Sequence, residues 1–356
     1  MLGNRLKIAR MAAGLSLRSL AEQIGNQVSA QMIARYERNE ALPGSTVLIA
    51  LADALDVSED YLLDESDLRL EEVEFRRRRL TSRKEEAMVE AKVLDAVERY
   101  LAIEEILGAA SANWTPPNGA PFHVDSLDDA ERAADQLRMV WGLGLDAVPN
   151  LADFLEEQGI KIIVSELPKS VSGLMARVRR RDGRSVPVIV VNEMHKGERQ
   201  RLTMAHELGH LLLDITSGFD EEKASFRFGS AFLIPAEILR AEVGRHRRAL
   251  AVGELLELKK LFGVSAQAIA YRCKELHIIG PGAYGNLFQT FSRRGWRSPP
   301  YSEPKPIPAE EPRRFLRLCF RAAAEGLASD AKIAELLRIS VRQLDREMTA
   351  TPALQH

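Results

Sequence analysis

The string LTMAHELGHLLLD sets His206, Glu207 and His210 in the order H-E-x-x-H. Side chains four residues apart share one face of a helix, so the two imidazoles are close enough to hold one metal ion. Glu207 follows the first imidazole, a spacing at which its carboxylate works on a water instead of binding the metal. Zn2+ at such a place supplies Lewis acidity that brings a water's pKa toward about 7. The carboxylate then takes the proton and returns it to the leaving amine of a cleaved peptide bond. Three fixed positions recur by chance in about one percent of chains of this length, so the surroundings decide. Here Thr203, Ala205, Leu208, Leu211 and Leu212 continue the helix with a buried face, and Gly209 allows another backbone to come close. A catalytic zinc needs a third protein ligand and an open position. The next helical stretch, DEEKASFRFGSAFLIP, offers Asp220, Glu221 and Glu222.

A second constellation lies near the N-terminus. Leu6, Ala9 and Ala13 mark a first helix that ends at Gly14. Ser16 is read as the N-cap of a helix carrying Leu17, Leu20, Ala21 and Ile24, and Ser29 as the cap of a third with Met32, Ile33 and Tyr36. A fourth helix, TVLIALADALDV, and a short fifth complete a five-helix unit over residues 1–63. Two short helices joined by a tight turn are a layout that reads the major groove of DNA. The start of the third helix is expected to present Ser29, Ala30, Gln31 and Arg35 to a double-stranded operator, with Gln31 suited to adenine. Charge agrees with this. Residues 1–38 hold six basic residues (Arg5, Lys7, Arg10, Arg18, Arg35 and Arg38) against two acids, and residues 39–63 hold five acids and no base.

The rest of the chain must position these two sites. Its 356 residues make two or three domains, and 46% hydrophobic with 28% charged residues is an ordinary soluble composition. The net charge of −2 means that a polyanion is met by a local patch. Two cysteines, Cys273 and Cys319, are too few for a disulfide framework. No apolar run approaches about 18 residues, and the start of the chain lacks a signal-like apolar core. Membrane, secreted and fibrous classes are excluded on this reading, and a cytoplasmic protein is expected.

Residues 64–111 read as a charged helical connector with RRRR at 76–79 and an apolar stripe of Val93, Val97, Leu101, Ile106 and Leu107, either a dimer seam or a solvated spacer. After a loop over 111–122, residues 126–280 carry the H-E-x-x-H site. Helices start at Ser126 and Asn150, and KIIV (161–164) and VPVIVVN (186–192) are strands whose connecting hairpin centres on Asp182-Gly183. Residues 298–312 hold six prolines and read as a stiff linker, followed by a small helical unit over 313–347. The fold class is mainly α with a small β-sheet (α+β).

Two resemblances add to this reading. GLSLRSLAEQIG, VSAQMIARYERNEALP and LIALADALDVSEDYLL resemble the Cro/C1-type (XRE) helix-turn-helix family, with Asn26 and Gln27 inserted in the turn. That family implies a homodimer on two half-sites. The segment PVIVVNEMHKGERQRLTMAHELGHLLLD, followed by EEKASFRFGSAFLIP, resembles the ImmA/IrrE family of zinc metallo-endopeptidases, which implies a zincin-like domain. In that family a glutamate six residues before a phenylalanine is the third ligand. This implies Glu222 beside His206 and His210, with Glu221 as the alternative and Glu207 catalytic. The chain departs from the pattern at Ser225, Phe226 and Gly229, and Phe226 removes a polar group near the site. SDAKIAELLRISVRQLDREM, near the C-terminus, has a helix-turn-helix cadence of its own.

Two functions follow. The first is a DNA-binding transcriptional regulator whose zinc endopeptidase domain cleaves a partner repressor or antitoxin, or couples a signal to repression. The second is a non-proteolytic repressor or antitoxin of a toxin–antitoxin operon, with a metal domain that only senses or supports. His195 is read as a surface histidine or an aid to the site, and both cysteines as buried small residues.

Overall fold

The computed structural model describes residues 2–63, 69–73, 83–108, 114–179, 183–298 and 301–349. These form two compact units. The first takes the described residues up to 113, residues 176–186 and those from 313 on; the second takes 114–175 and 187–312. The fold is α+β and predominantly helical.

The first unit begins with α1 (Leu2–Ala12), α2 (Leu17–Gln23), α3 (Ala30–Glu37), α4 (Ser45–Leu55) and α5 (Glu59–Leu63), packed around Leu6, Leu20, Ile33, Leu51 and Leu62. Both predicted caps form: the Ser16 side chain accepts from the Ser19 N–H, and that of Ser29 from the Met32 N–H. The intervening turn uses positive φ at Gly25 (67°) and Asn26 (55°), a conformation that asparagine tolerates better than most residues. The connector differs from expectation. A strand, β1 (Arg69–Val73), precedes α6 (Arg83–Ile106), and the RRRR run lies outside the described residues. Val93, Val97 and Leu101 are buried, and Ile8 of α1 packs with Ala91 and Leu94 of α6. These three stripe residues are therefore covered within the chain, while Ile106 and Leu107 are half-buried.

From residue 114 the chain runs through β2 (Phe122–Val124), α7 (Leu127–Val140), α8 (Leu151–Glu157), β3 (Lys161–Ser165), β4 (Gly173–Arg179), β5 (Ser185–Asn192), α9 (Gly197–Leu212), β6 (Leu213–Ile215), α10 (Glu221–Leu233), α11 (Ala236–Val243), α12 (Val252–Phe262), α13 (Ala266–Glu275) and α14 (Pro281–Arg293), all in the second unit except the 176–186 portion of β4 and β5. Strands β3 and β5 were expected, but they are parallel, with Lys161 opposite Val188 and Ser165 opposite Asn192. The hairpin instead joins β4 to β5, so part of the polar RVRRRDGRS run is strand and not connection. Gly183 takes φ +80° there, and Asp182 lies outside the described residues. The sheet order is β1-β4-β5-β3, with β1 antiparallel to the 176–179 end of β4. A second small sheet pairs β2 with β6 in parallel. Neither strand was expected, because Leu213 continues the helical run of leucines in type while its ψ of 137° is extended.

The proline-rich stretch is held against this second unit. Lys259 of α12 is fully buried, and its Nζ bonds Glu198 of α9 at 2.8 Å and Glu303 at 2.8 Å. Glu303 also accepts from the Ala266 N–H at 2.9 Å, at the start of α13. Glu310 accepts from the Ala152 N–H of α8 at 2.8 Å and pairs with the buried Arg201 of α9. A Cβ added to Gly197 would sit 2.0 Å from the Pro308 carbonyl oxygen, so α9 and this strap touch through backbone.

The chain then returns to the first unit as α15 (Arg314–Ala324), α16 (Asp330–Leu337) and α17 (Val341–Thr349). Leu318, Cys319, Ala322, Ile333, Leu336 and Leu344 share a core with Tyr100 and Ile103 of α6. Arg338 reaches Asp95 of α6 at 2.6 Å.

Candidate metal centre

Helices α9 and α10 meet backbone to backbone. A Cβ on Gly229 would lie 2.9 Å from the His206 amide nitrogen, and one on Gly209 would lie 3.1 Å from the Ser225 Cα. This approach carries the start of α10 to the two imidazoles. The three acids of α10 then divide by position. Asp220 is the N-cap, its side chain accepting from the Lys223 N–H. Glu222 directs one carboxylate oxygen to His206 Nε2 at 3.7 Å and the other to His210 Nε2 at 3.7 Å. Glu221 lies on the far side of the same ring, 2.9 Å from His210 Nδ1.

The two Nε2 atoms are 3.0 Å apart. Four ligands at about 2.0–2.1 Å from a tetrahedral zinc are about 3.3 Å from one another, so these separations straddle the required edge. Among the described residues, His206, His210 and Glu222 are the one group of such side chains whose ligand atoms converge, all within 4.8 Å. A proton on Nδ1 donated to Glu221 leaves the His210 Nε2 lone pair facing the group, and Ser225 Oγ stands 3.4 Å from the same Nδ1. The His206 and His210 side chains are 10% and 4% exposed against 48% for Glu222, so the cluster is closed on the helix side and open at the carboxylate. Glu207 is buried in the same helical turn. The donor set thus fits a divalent ion of zinc type, with an open side for a further ligand.

Glu221 and Ser225 had not been assigned this supporting role from the sequence. A signal existed: adjacent helical residues point about 100° apart, so Glu221 and Glu222 do not aim at the same point. Phe226 places its ring 6.4 Å from that of His206. Burial and the Arg199 charge push the His195 imidazole down to about 4. Burial pushes the Cys273 and Cys319 thiols up to about 12, which keeps both as inert core groups.

On α3, Ser29, Gln31 and Arg35 are exposed and Ala30 is half-buried, while Ile33 and Tyr36 face the core. Two of the six cations counted toward a basic face are committed internally. Arg5 bonds the Tyr61 carbonyl oxygen at 3.0 Å and lies 3.4 Å from Glu98, and Arg10 grips Glu37 at 2.5 Å. Lys7, Arg18, Arg35 and Arg38 remain on the surface.

Of these two regions, the α3 face is a candidate DNA-reading surface and the cluster of His206, His210 and Glu222 a candidate metal centre. Residues 6–62 match the family model described as helix-turn-helix, and residues 155–274 match the IrrE N-terminal-like domain, Peptidase M78. The chain therefore fuses an XRE-type helix-turn-helix domain to a peptidase-family domain of the IrrE/ImmA kind. No curated protein matches it. Among the described residues, no helix is long and apolar enough to cross a membrane.

Proposed function

We propose that this protein is a transcriptional regulator whose second unit is a zinc endopeptidase, cleaving a partner repressor or antitoxin. The observation that carries the reading is the convergence of His206 Nε2 and His210 Nε2, on the helix that also holds the buried Glu207, with the Glu222 carboxylate of the next helix. Bound zinc supplies Lewis acidity toward a carbonyl oxygen and a water. The chain's own residues do the rest. Glu221 and Ser225 fix the orientation of His210 through Nδ1. Glu207 holds the proton taken from the attacking water and releases it to the leaving amine. The scissile segment approaches from the open side, at Glu222 and Phe226. In the first unit, Ser29, Ala30, Gln31 and Arg35 read the major groove of a double-stranded operator, two copies occupying two half-sites.

The test is hydrolysis of candidate partner repressors by the purified full chain, with metal content measured in parallel. One zinc per chain and a loss of about 10²–10⁴-fold in Glu207→Gln, with zinc retained, are expected. An unchanged rate in that variant ends the mechanism. Zinc and operator binding with every partner left intact favours the repressor or antitoxin whose metal domain is sensory or structural.

A further inference from the structure

We propose that the surface leading away from His206 along Phe226, Tyr271, Tyr284 and Phe288 is a docking groove for an acidic peptide segment flanking the bond to be cut. This rests on the endopeptidase reading above and names the substrate chemistry it requires. The rings follow one another closely: Phe226 to Tyr271 is 5.8 Å, Tyr271 to Tyr284 6.2 Å, and Tyr284 to Phe288 4.3 Å between centroids. Phe226 is 37% exposed, a large apolar side chain standing in solvent beside the metal cluster. The other three rings are half-buried.

Cations accompany the rings. Lys274 Nζ lies 5.8 Å from the Tyr271 centroid and 4.8 Å from that of Tyr284, and the Arg297 guanidinium lies 5.0 Å from Phe288. Among the described residues neither cation is paired with a carboxylate. The acids nearby are engaged elsewhere: Glu275 with Arg227 at 3.3 Å, Asp220 with Lys223 at 2.9 Å, and the half-exposed Glu221 and Glu222 with the imidazoles of the metal cluster. Around Phe288 lies an open surface depression of about 550 Å³, lined also by Gln289, Ser292, Arg293 and Arg297. Aromatic faces give an extended peptide contact area at low rotamer cost, and cations without counter-charges select carboxylates by charge-assisted hydrogen bonds. A lysine-rich segment is repelled there, and a neutral one gains only the rings.

Binding is measured by fluorescence anisotropy on the zinc-loaded full chain carrying Glu207→Gln, which keeps peptides intact. Labelled probes of equal length are a glutamate-rich, a serine-rich and a lysine-rich peptide with the same aromatic residues, and a single-stranded oligonucleotide. The acidic peptide is expected to bind about tenfold or more tighter than the serine peptide, with affinity falling as salt rises. Lys274→Glu and Arg297→Glu each remove about tenfold of that preference and Lys274→Arg keeps it, with zinc content and operator binding unchanged as checks on folding. Equal affinities for the three peptides, binding of the oligonucleotide alone, or indifference to both charge reversals overturns the groove. Partner hydrolysis by the unmutated chain combined with equal peptide affinities sinks the groove and leaves the peptidase. Acidic-peptide selectivity without hydrolysis of any partner sinks the peptidase reading and leaves the groove.

Discussion

At the candidate metal centre, the three side chains come from two helices in backbone contact, two of them shielded from solvent, and each acid of the DEE run has a separate place. On α3 the arrangement is the reverse: Ser29, Gln31 and Arg35 stand in solvent, and the fold holds only the helix that carries them. A buried constellation is fixed by its neighbours, so residue type and spacing come close to stating its geometry. A surface one depends on which charges stay outside. Arg5 illustrates this, since its guanidinium lies 4.7 Å over the Tyr61 ring and serves the core of the first unit.

The largest effect expected from this contrast concerns the interlock behind α9. Glu303→Ala leaves the Lys259 ammonium with one carboxylate and the Ala266 N–H without its acceptor, at a cost of about 3–5 kcal/mol. Chemical denaturation followed by a probe in the second unit reads this, and an unchanged midpoint refutes the interlock. Next in size, Glu221→Gln weakens zinc binding about 10–100-fold in a chelator competition, because the His210 orientation is lost while all three ligands remain.

The reading face gives a smaller, paired contrast. Arg35→Ala lowers operator affinity and reduces the salt slope by about 1 without altering stability. Arg10→Ala leaves that slope alone and destabilises the first unit by stranding Glu37. If the two variants behave alike, the division between inward and outward cations is wrong. The smallest effect is pH-dependent. With the His195 pKa held at about 4, below its ordinary 6.5, the unfolded chain takes up this proton first. This group's contribution to stability is therefore full above pH 6.5 and declines as pH falls toward 4, and His195→Gln flattens that limb of a stability–pH curve.

Helices with capping serines and a periodic apolar face were legible, and so were the two strands with runs of β-branched residues. Strand β4 was missed because GLMARVR mixes glycine, alanine and two arginines, and its place is set by pairing with β5 and not by local preference. Strands β2 and β6 are three residues each, below the length at which alternation speaks. At the site, His206, Glu207 and His210 were plain from spacing, and Glu222 came from resemblance. The supporting roles of Glu221 and Ser225 depend on how closely α10 approaches α9, which Gly229 permits but does not by itself announce. The roles of Glu303 and Glu310 are not legible in the proline-rich stretch, because nothing local marks a carboxylate that caps a helix far away in sequence.

The stitching of residues 301–312 into the second unit changes where the protein can be cut. A limited-proteolysis or expression boundary set at the first prolines discards Glu303 and Glu310 together. With them go the seals on the N-terminal ends of α13 and α8 and half the neutralisation of Lys259. A free-standing fragment of the second unit therefore has to run to Pro312, and dissection of the chain at its proline content damages that unit.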